Sequence, residues 1–316
     1  MNVNLPTTLG VEIELNNQAG VNADINALTR DVAEFEGWIV KRDGSCGISG
    51  AGPEIISPIL KTVKDLSQVF AICYKLKRLG YQTNSRCGLH IHLGAKSEGG
   101  SVARWVARYI KFAAKNENLF FGLAPTRSGN TYCSRFDSRL KSVYASSHGS
   151  LDSWESRYYW INGQSYSRHT TLENRLMSGT INPNSIVGWA LFNLYLVSKF
   201  SNETTNNGAE LYQLGAPANL STLNELLDAS GVADAEVASD FSLHQFVQEN
   251  MSGRGTIGED RLAQASKHYL VNRWNDIRND APSVRARRRE LLHSSWKGAA
   301  VFEPMFVRLN AAYADV

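Results

Sequence analysis

The chain has 316 residues, 43% apolar and 20% charged, a composition that supports a buried core and excludes a disordered tail, a collagen-like fibre or a disulfide mini-scaffold. Lys and Arg number 33 against 30 Asp and Glu, and the formal charge of +3 is too weak a field to imply nucleic acid or an anionic membrane without a local site. The four cysteines, Cys46, Cys73, Cys87 and Cys133, form no CxxC pair and are expected to be free thiols in a reducing compartment.

The N-terminal stretch MNVNLPTTLGVEIEL lacks a basic n-region and carries two Glu in its first apolar run. It does not fit a signal peptide and points to a cytoplasmic protein. Within it Leu9, Val11, Ile13 and Leu15 alternate with Gly10, Glu12 and Glu14, the period of a half-buried strand with both carboxylates on one face. Ile25, Leu28, Val32 and Phe35 recur at helical spacing, Gly37 stops that helix, and a strand is predicted over 38–42. The Gly-rich DGSCGISGAGPE is a loop or wide hairpin into a short strand over 54–56, followed by a helix over 63–79 that stops at Gly80. Gly47, Gly50 and Gly52 are too irregular for a phosphate-cradling loop and are assigned to turn geometry.

The segment GLHIHLG repeats the first strand's device, with Leu89, Ile91 and Leu93 alternating with His90 and His92. In the helix that follows, Val102, Trp105, Val106, Tyr109, Ile110 and Ala113 form an apolar stripe opposite Arg104, Arg108, Lys111 and Lys115. Residues 128–153 are predicted to be a long surface loop, and strands are predicted over 157–162 and 169–177. From Asn184 onward the pattern is helical. The run Ile186 to Val197 is too short for a bilayer span and contains Asn193, so it reads as a buried core helix, and no membrane role is expected. A polar break near 201–208 divides the chain into 1–204, an α+β domain of catalytic type, and 205–316, a helical C-terminal extension.

Three of these strands carry polar pairs at i and i+2: Glu12 with Glu14, His90 with His92, and Glu173 with Arg175. That spacing puts each pair on one sheet face. Two enclosed glutamates repel and are tenable only with bound cations or raised pKa values. Glu54 adds a carboxylate and Asp43 a further one. Such a set, with one or two imidazoles, suits hard divalent ions, Mg²⁺ or Mn²⁺ before Zn²⁺. Each motif has a plain alternative: a solvated antiparallel face for Glu-x-Glu, core or surface histidines for His-x-His, and a surface ion pair for Glu-x-Arg. Their joint occurrence, each in a predicted strand, favours a site.

Taken in order, GVEIE, DGS, EIISP, CGLHIHLG and TLENRLMSGT resemble the amidoligase branch of the glutamine-synthetase-like carboxylate–amine ligases, which also include glutamate–cysteine ligases. The resemblance spans residues 8–200. It implies a curved, largely antiparallel sheet with flanking helices, whose concave face holds ATP and two or three divalent ions, Mg²⁺ (or Mn²⁺). It also implies that a carboxylate substrate is phosphorylated to an acyl phosphate, which an amine substrate attacks to give an amide or isopeptide. By motif, Glu12 and Glu14 resemble the first-strand metal ligands, and Glu54 with Asp43 resembles the carboxylates of the substrate-side ion. His90 resembles the ligand of the ion bridging the ATP phosphates, His92 the histidine facing phosphate, Glu173 the last-strand ligand, and Arg175 the arginine on the transferring phosphoryl group. The lack of a GxxxxGK[ST] segment then means that ATP is held by metal and sheet.

Arg135 is a candidate for binding substrate carboxylate or phosphate, or else an exposed loop arginine. Tyr158, Trp160 and Asn162 either line an acceptor pocket or belong to core and sheet surface. Two other function classes stay in view. His90, His92 and Glu98 approximate the metal set of an ATP-independent, cupin-like enzyme. Arg285, Arg287, Arg288 and Arg289 could serve a binding module for nucleic acid or an acidic protein, although a solvated helix face fits them better and nucleic acid is not the expected partner.

Overall fold

A computed structural model of the chain describes residues 1–16, 25–46, 52–137, 140, 154, 156–202, 242–275 and 281–295. Among the described residues seven strands form one open sheet: β1 (Asn4–Glu14), β2 (Ile39–Asp43), β3 (Gly52–Ile56), β4 (Leu60–Thr62), β5 (Gly88–Gly94), β6 (Ile161–Asn162) and β7 (Thr171–Ser178). Their order is β2-β3-β1-β5-β7-β6, with β4 paired to the start of β1. Every pairing between these strands is antiparallel. The fold is therefore α+β, as the mixture of periods implies.

The apolar side of each alternating strand makes the core. Leu9, Val11 and Ile13 of β1 and Leu89, Ile91 and Leu93 of β5 are at most 1% exposed. The helix over Pro183–Asn202 is buried from Ile186 to Ser198. It packs against β1 and β5, the helices Leu66–Arg78 and Arg104–Lys115, and the helix Glu259–Asn275. Being covered on so many sides explains why it is apolar all round. In chain order the α-helices among the described residues are α1 (Ile25–Val32), α2 (Leu66–Arg78), α3 (Arg104–Lys115), α4 (Glu117–Leu123), α5 (Ser165–His169), α6 (Pro183–Asn202), α7 (Leu243–Asn250), α8 (Glu259–Asn275) and α9 (Pro282–Ser295). Phe246, Val247, Leu262, Ala263 and Tyr269 of α7 and α8 join the same core cluster as the sheet.

Several local features depart from the periodicity. The predicted helix over 63–79 begins as a 3-10 turn, because Thr62 and Asp65 form a capping box in which Asp65 Oδ2 accepts from Thr62 N at 2.8 Å. A separate α4 follows α3 after Asn116, whose φ of −109° and ψ of 18° break the helix without Gly or Pro to signal it. The strand predicted over 157–162 shrinks to Ile161–Asn162, since Tyr158 and Trp160 bond through their backbones to Ser134. His169 ends α5 rather than opening β7, and Thr170 turns the chain with φ 55°.

Among the described residues no helix is long and apolar enough to cross a membrane. Part of the basic face of α3 is used internally, for Arg108 donates to Phe200 O at 2.6 Å. In α9, Arg287 pairs with Glu290 at 2.6 Å and donates to Ser128 Oγ at 3.1 Å, while the side chains of Arg288 and Arg289 lie outside the described residues.

The approach of α6 to α8 depends on Gly188, where a Cβ would stand 2.3 Å from Tyr269 Cδ2. Overpacking of a filled core costs roughly 1–3 kcal/mol. Gly188→Ala is therefore expected to lower the denaturant midpoint with an unchanged m-value. A midpoint equal to that of wild type would contradict this packing.

Candidate active site

Cross-strand register collects the polar residues. Side chains of directly opposed residues in an antiparallel pair lie on the same face. In β1 against β5, Glu12 faces His90 and Gly10 faces His92; in β1 against β3, Glu14 faces Glu54. In β5 against β7, His92 faces Glu173, and Asn162 of β6 faces Glu173 from the other side. A Cβ at Gly10 would sit 3.2 Å from His92 Cβ, so glycine leaves the imidazole its place. The result is a cavity of about 190 Å³ on the sheet face away from the core. Glu12, Asp43, Glu54, His90, His92, Glu173 and Arg175 all line it.

The side chains are in direct contact. His90 Nδ1 is 3.1 Å from Glu12 Oε2 and 3.5 Å from Glu173 Oε1, and its Nε2 is 3.4 Å from Glu14 Oε1. Glu14 Oε2 accepts from Gly88 N at 2.6 Å, and Glu173 Oε2 from Asn162 Nδ2 at 2.6 Å. Glu173 Oε1 is ion-paired with Arg175 Nη1. Asp43 Oδ1 accepts from Ser45 N at 2.6 Å, which fixes the carboxylate at the end of β2.

Charge balance is incomplete. Burial pushes Glu54 up, and the negative charges of Glu12, Asp43, Glu14 and Glu173 add to it, giving a pKa of about 8. Burial also acts to raise Glu12, but hydrogen bonds from His90 and His92 outweigh it and hold this carboxyl well below the usual range. For Glu173 the Arg175 guanidinium and both imidazoles outweigh burial and lower the pKa. His92 is raised against its burial by Glu12 and Glu173.

The donor set fits divalent cations. Three groups each offer donor atoms within 4.8 Å of one another: Glu12, Glu54 and His90; Glu12, His92 and Glu173; and Glu14, Asp43 and Glu54. His92 supplies a second observation. Its Nδ1 is 2.9 Å from Thr171 Oγ1 and 3.3 Å from Ser165 Oγ. Its buried Nε2 is turned into the cavity, 3.2 Å from Glu12 Oε1. A histidine ligand held through its far ring nitrogen has this arrangement.

Not every candidate joins the site. Arg135 does not line the cavity: it donates to Asn118 Oδ1 at 2.7 Å, lies 3.8 Å from Glu117 Oε2 and stacks over Phe121, 4.5 Å from the ring centroid. The assignment to ligand binding is corrected to a tie between its loop and α4. Of Tyr158, Trp160 and Asn162, the first is exposed, the second is core, and Asn162 lines the cavity. Glu98 is exposed and does not line the cavity, so the cupin-like set is not assembled. Gly47 and Gly50 lie outside the described residues. Arg157, Gln164, Ser165, Arg168 and His169 also line the cavity, and the sequence reading did not single them out for the site. Arg157, Arg168 and His169 sit on the rim in ordinary polar stretches with no repeating pattern to mark them.

A family model described as "Putative amidoligase enzyme" matches residues 14–197, more than half of the chain. The chain belongs to this amidoligase family. The match spans Asp43, Glu54, both histidines, Glu173 and Arg175, begins at Glu14 two residues after Glu12, and ends within α6. Membership supports a ligase-type, amide-bond-forming enzyme, and the acidic clusters are compatible with metal binding. No curated protein matches this amidoligase.

The raised Glu54 makes ion-free stability depend on pH. Between its ordinary value of 4.5 and about 8 the folded protein keeps a proton that the unfolded chain has released. The stability this provides is complete below pH 4.5 and is lost as pH rises through about 8. His92, also raised, acts in the same direction. Chelator-treated protein is expected to show a falling Tm from weakly acidic to weakly alkaline pH. Glu54→Gln should flatten that fall, and Mg²⁺ should restore Tm at the alkaline end. A Tm that climbs over this range in chelator would contradict the charge balance.

Proposed function

We propose that this amidoligase is an ATP- and Mg²⁺-dependent carboxylate–amine ligase that works through an acyl phosphate on a glutamine-synthetase-like sheet face. The observation that carries the reading is the convergence of three overlapping donor groups, every member of which except the more deeply buried Glu14 lines one cavity together with Arg175, on a family-matched sheet. Divalent ions bound there would neutralise phosphate charge and align the transferring group. Mn²⁺ shares the preference for carboxylate oxygens, accepts an imidazole more readily than Mg²⁺ does, and could substitute.

In this reading Glu12, Glu14, Asp43, Glu54, His90 and Glu173 hold the ions, and His92 faces the phosphate chain. Arg175, fixed by Glu173 and by donation from its Nε to Tyr132 O at 3.2 Å, stabilises charge on the phosphoryl group in flight. Transfer places phosphate on the carboxylate and releases ADP; the amine then forms the amide bond as phosphate leaves. Arg157 and Arg168 stand on the rim together with the carboxylates of the floor and are placed to take an anionic part of the acid substrate. Acid and amine could each be a small molecule, a peptide or a protein side chain. The buried free thiols fit a reducing, cytoplasmic setting.

A non-hydrolysable ATP analogue and Mg²⁺ together should raise Tm well beyond either alone, since ligand at 100-fold its Kd adds about 2.7 kcal/mol. Glu12→Gln should abolish the joint effect. Equal shifts in Glu12→Gln and wild type, or no shift in folded wild type, would contradict the reading. Once an acid and amine pair is found, Arg175→Ala should lower kcat on the order of 10²–10³-fold with the fold intact. Full turnover in that variant would remove the assigned role.

A further inference from the structure

The two site residues of β7 flank or enter a break in its register. Leu89 pairs with Met177 but Ile91 pairs with Asn174, so Arg175 and Leu176 share the single partner His90. A bulge of this kind bends the strand, re-aims a side chain and takes a backbone N–H out of the ladder. Arg175 N donates to Trp160 O at 2.7 Å. Leu176 N donates instead to Asn174 Oδ1 at 3.1 Å.

Asn174 is 1% exposed, and its neighbours dictate which way its amide points. Asn193 uses its Nδ2 on Trp189 O at 2.7 Å, which leaves its Oδ1 to accept. That oxygen takes a hydrogen bond from the Tyr109 hydroxyl at 2.5 Å and another from Asn174 Nδ2 at 2.9 Å. Asn174 Nδ2 also donates to the Tyr109 oxygen at 3.2 Å. With its NH₂ committed to α3 and α6, Asn174 has only its carbonyl oxygen to give to the bulge.

We infer that Asn174, anchored by Tyr109 and Asn193, is a positioning residue for Arg175: it clamps the bulge that sets the guanidinium beside Glu173 in the cavity. It lies between two residues that line the cavity, yet it points into the core and touches no group there. The clamp ties the site to the helical layer, because its two anchors sit on α3 and α6. The inference rests on the reading of Arg175 as the residue that meets the transferring phosphoryl group.

The test compares calorimetric affinities of the full chain for Mg²⁺·ADP and for Mg²⁺·ADP with aluminium fluoride, whose fluoride group imitates the phosphoryl group in flight. Wild type, Asn174→Ala, Arg175→Ala and the double variant are measured. Asn174→Ala should weaken the aluminium fluoride complex about tenfold or more while changing ADP affinity less than about threefold. The double variant should bind no more weakly than Arg175→Ala, since both changes act on one group. Equal loss of both ligands, or losses that multiply in the double variant, would show a role in folding alone and overturn the inference. Where Asn174→Ala fails to fold, Tyr109→Phe, which deletes one anchoring hydroxyl, should show the same selective loss in smaller degree, and no loss overturns the inference. Wild type that binds neither ligand would sink the phosphoryl-transfer reading and this inference with it. Wild-type binding that Asn174→Ala and Tyr109→Phe reproduce would overturn this inference alone.

Discussion

Repulsion among carboxylates is the constraint on which the rest of this structure depends. Two like charges 4 Å apart at a protein surface repel by about 4 kcal/mol. Glu12, Glu14, Asp43, Glu54 and Glu173 belong to three interlocked groups of donor atoms, each within 4.8 Å. Arg175 and two imidazoles offset part of this charge, and Glu54 still keeps its proton up to about pH 8. A sheet face with more negative charge than its own side chains offset is compatible with bound cations.

The opposite face of the sheet is what makes the gathering possible. A one-residue slip of β1 against β5 would turn Val11 and Ile13 into the cavity and drive Glu12 and Glu14 into the core. The apolar residues, at most 1% exposed, therefore enforce the register that sets Glu12 opposite His90 and Glu14 opposite Glu54. The buried helix α6 backs that face and reaches the site strand through Asn193. Stability and site geometry are thus held by the same packing, which is why core residues such as Tyr109 and Asn174 bear on the chemistry of the cavity.

Strict alternation made much of this legible. The strands carrying Glu12, Glu14, His90 and His92 are visible because apolar and polar residues exchange at every step, and period two puts Glu173 and Arg175 on one face although the polar Asn174 between them breaks the alternation. Glu54 and Asp43 came from short motifs in the same order, and the structure brings both to the cavity. Arg135 failed because sequence position between motif strands says nothing of which helix a loop arginine meets, and here it meets α4. The break at Asn116 was hidden by the absence of Gly or Pro. The β7 bulge was hidden because Leu176 and Met177, two apolar residues in a row, read equally well as the end of an alternating run. Arg157, Arg168 and His169 reach the rim through turns and a short helix, and a turn sets direction by geometry that no periodicity records.

The most direct measurement is anomalous X-ray scattering from crystals grown with Mn²⁺ and a non-hydrolysable ATP analogue. A cation-binding sheet face predicts Mn²⁺ peaks enclosed by Glu12, Glu54 and His90 and by Glu14, Asp43 and Glu54, with the nucleotide's phosphates against them, His92 beside the phosphate chain and Arg175 at the terminal phosphate. Ordered site carboxylates with no Mn²⁺ among them, or Mn²⁺ and nucleotide bound elsewhere on the molecule, would contradict it.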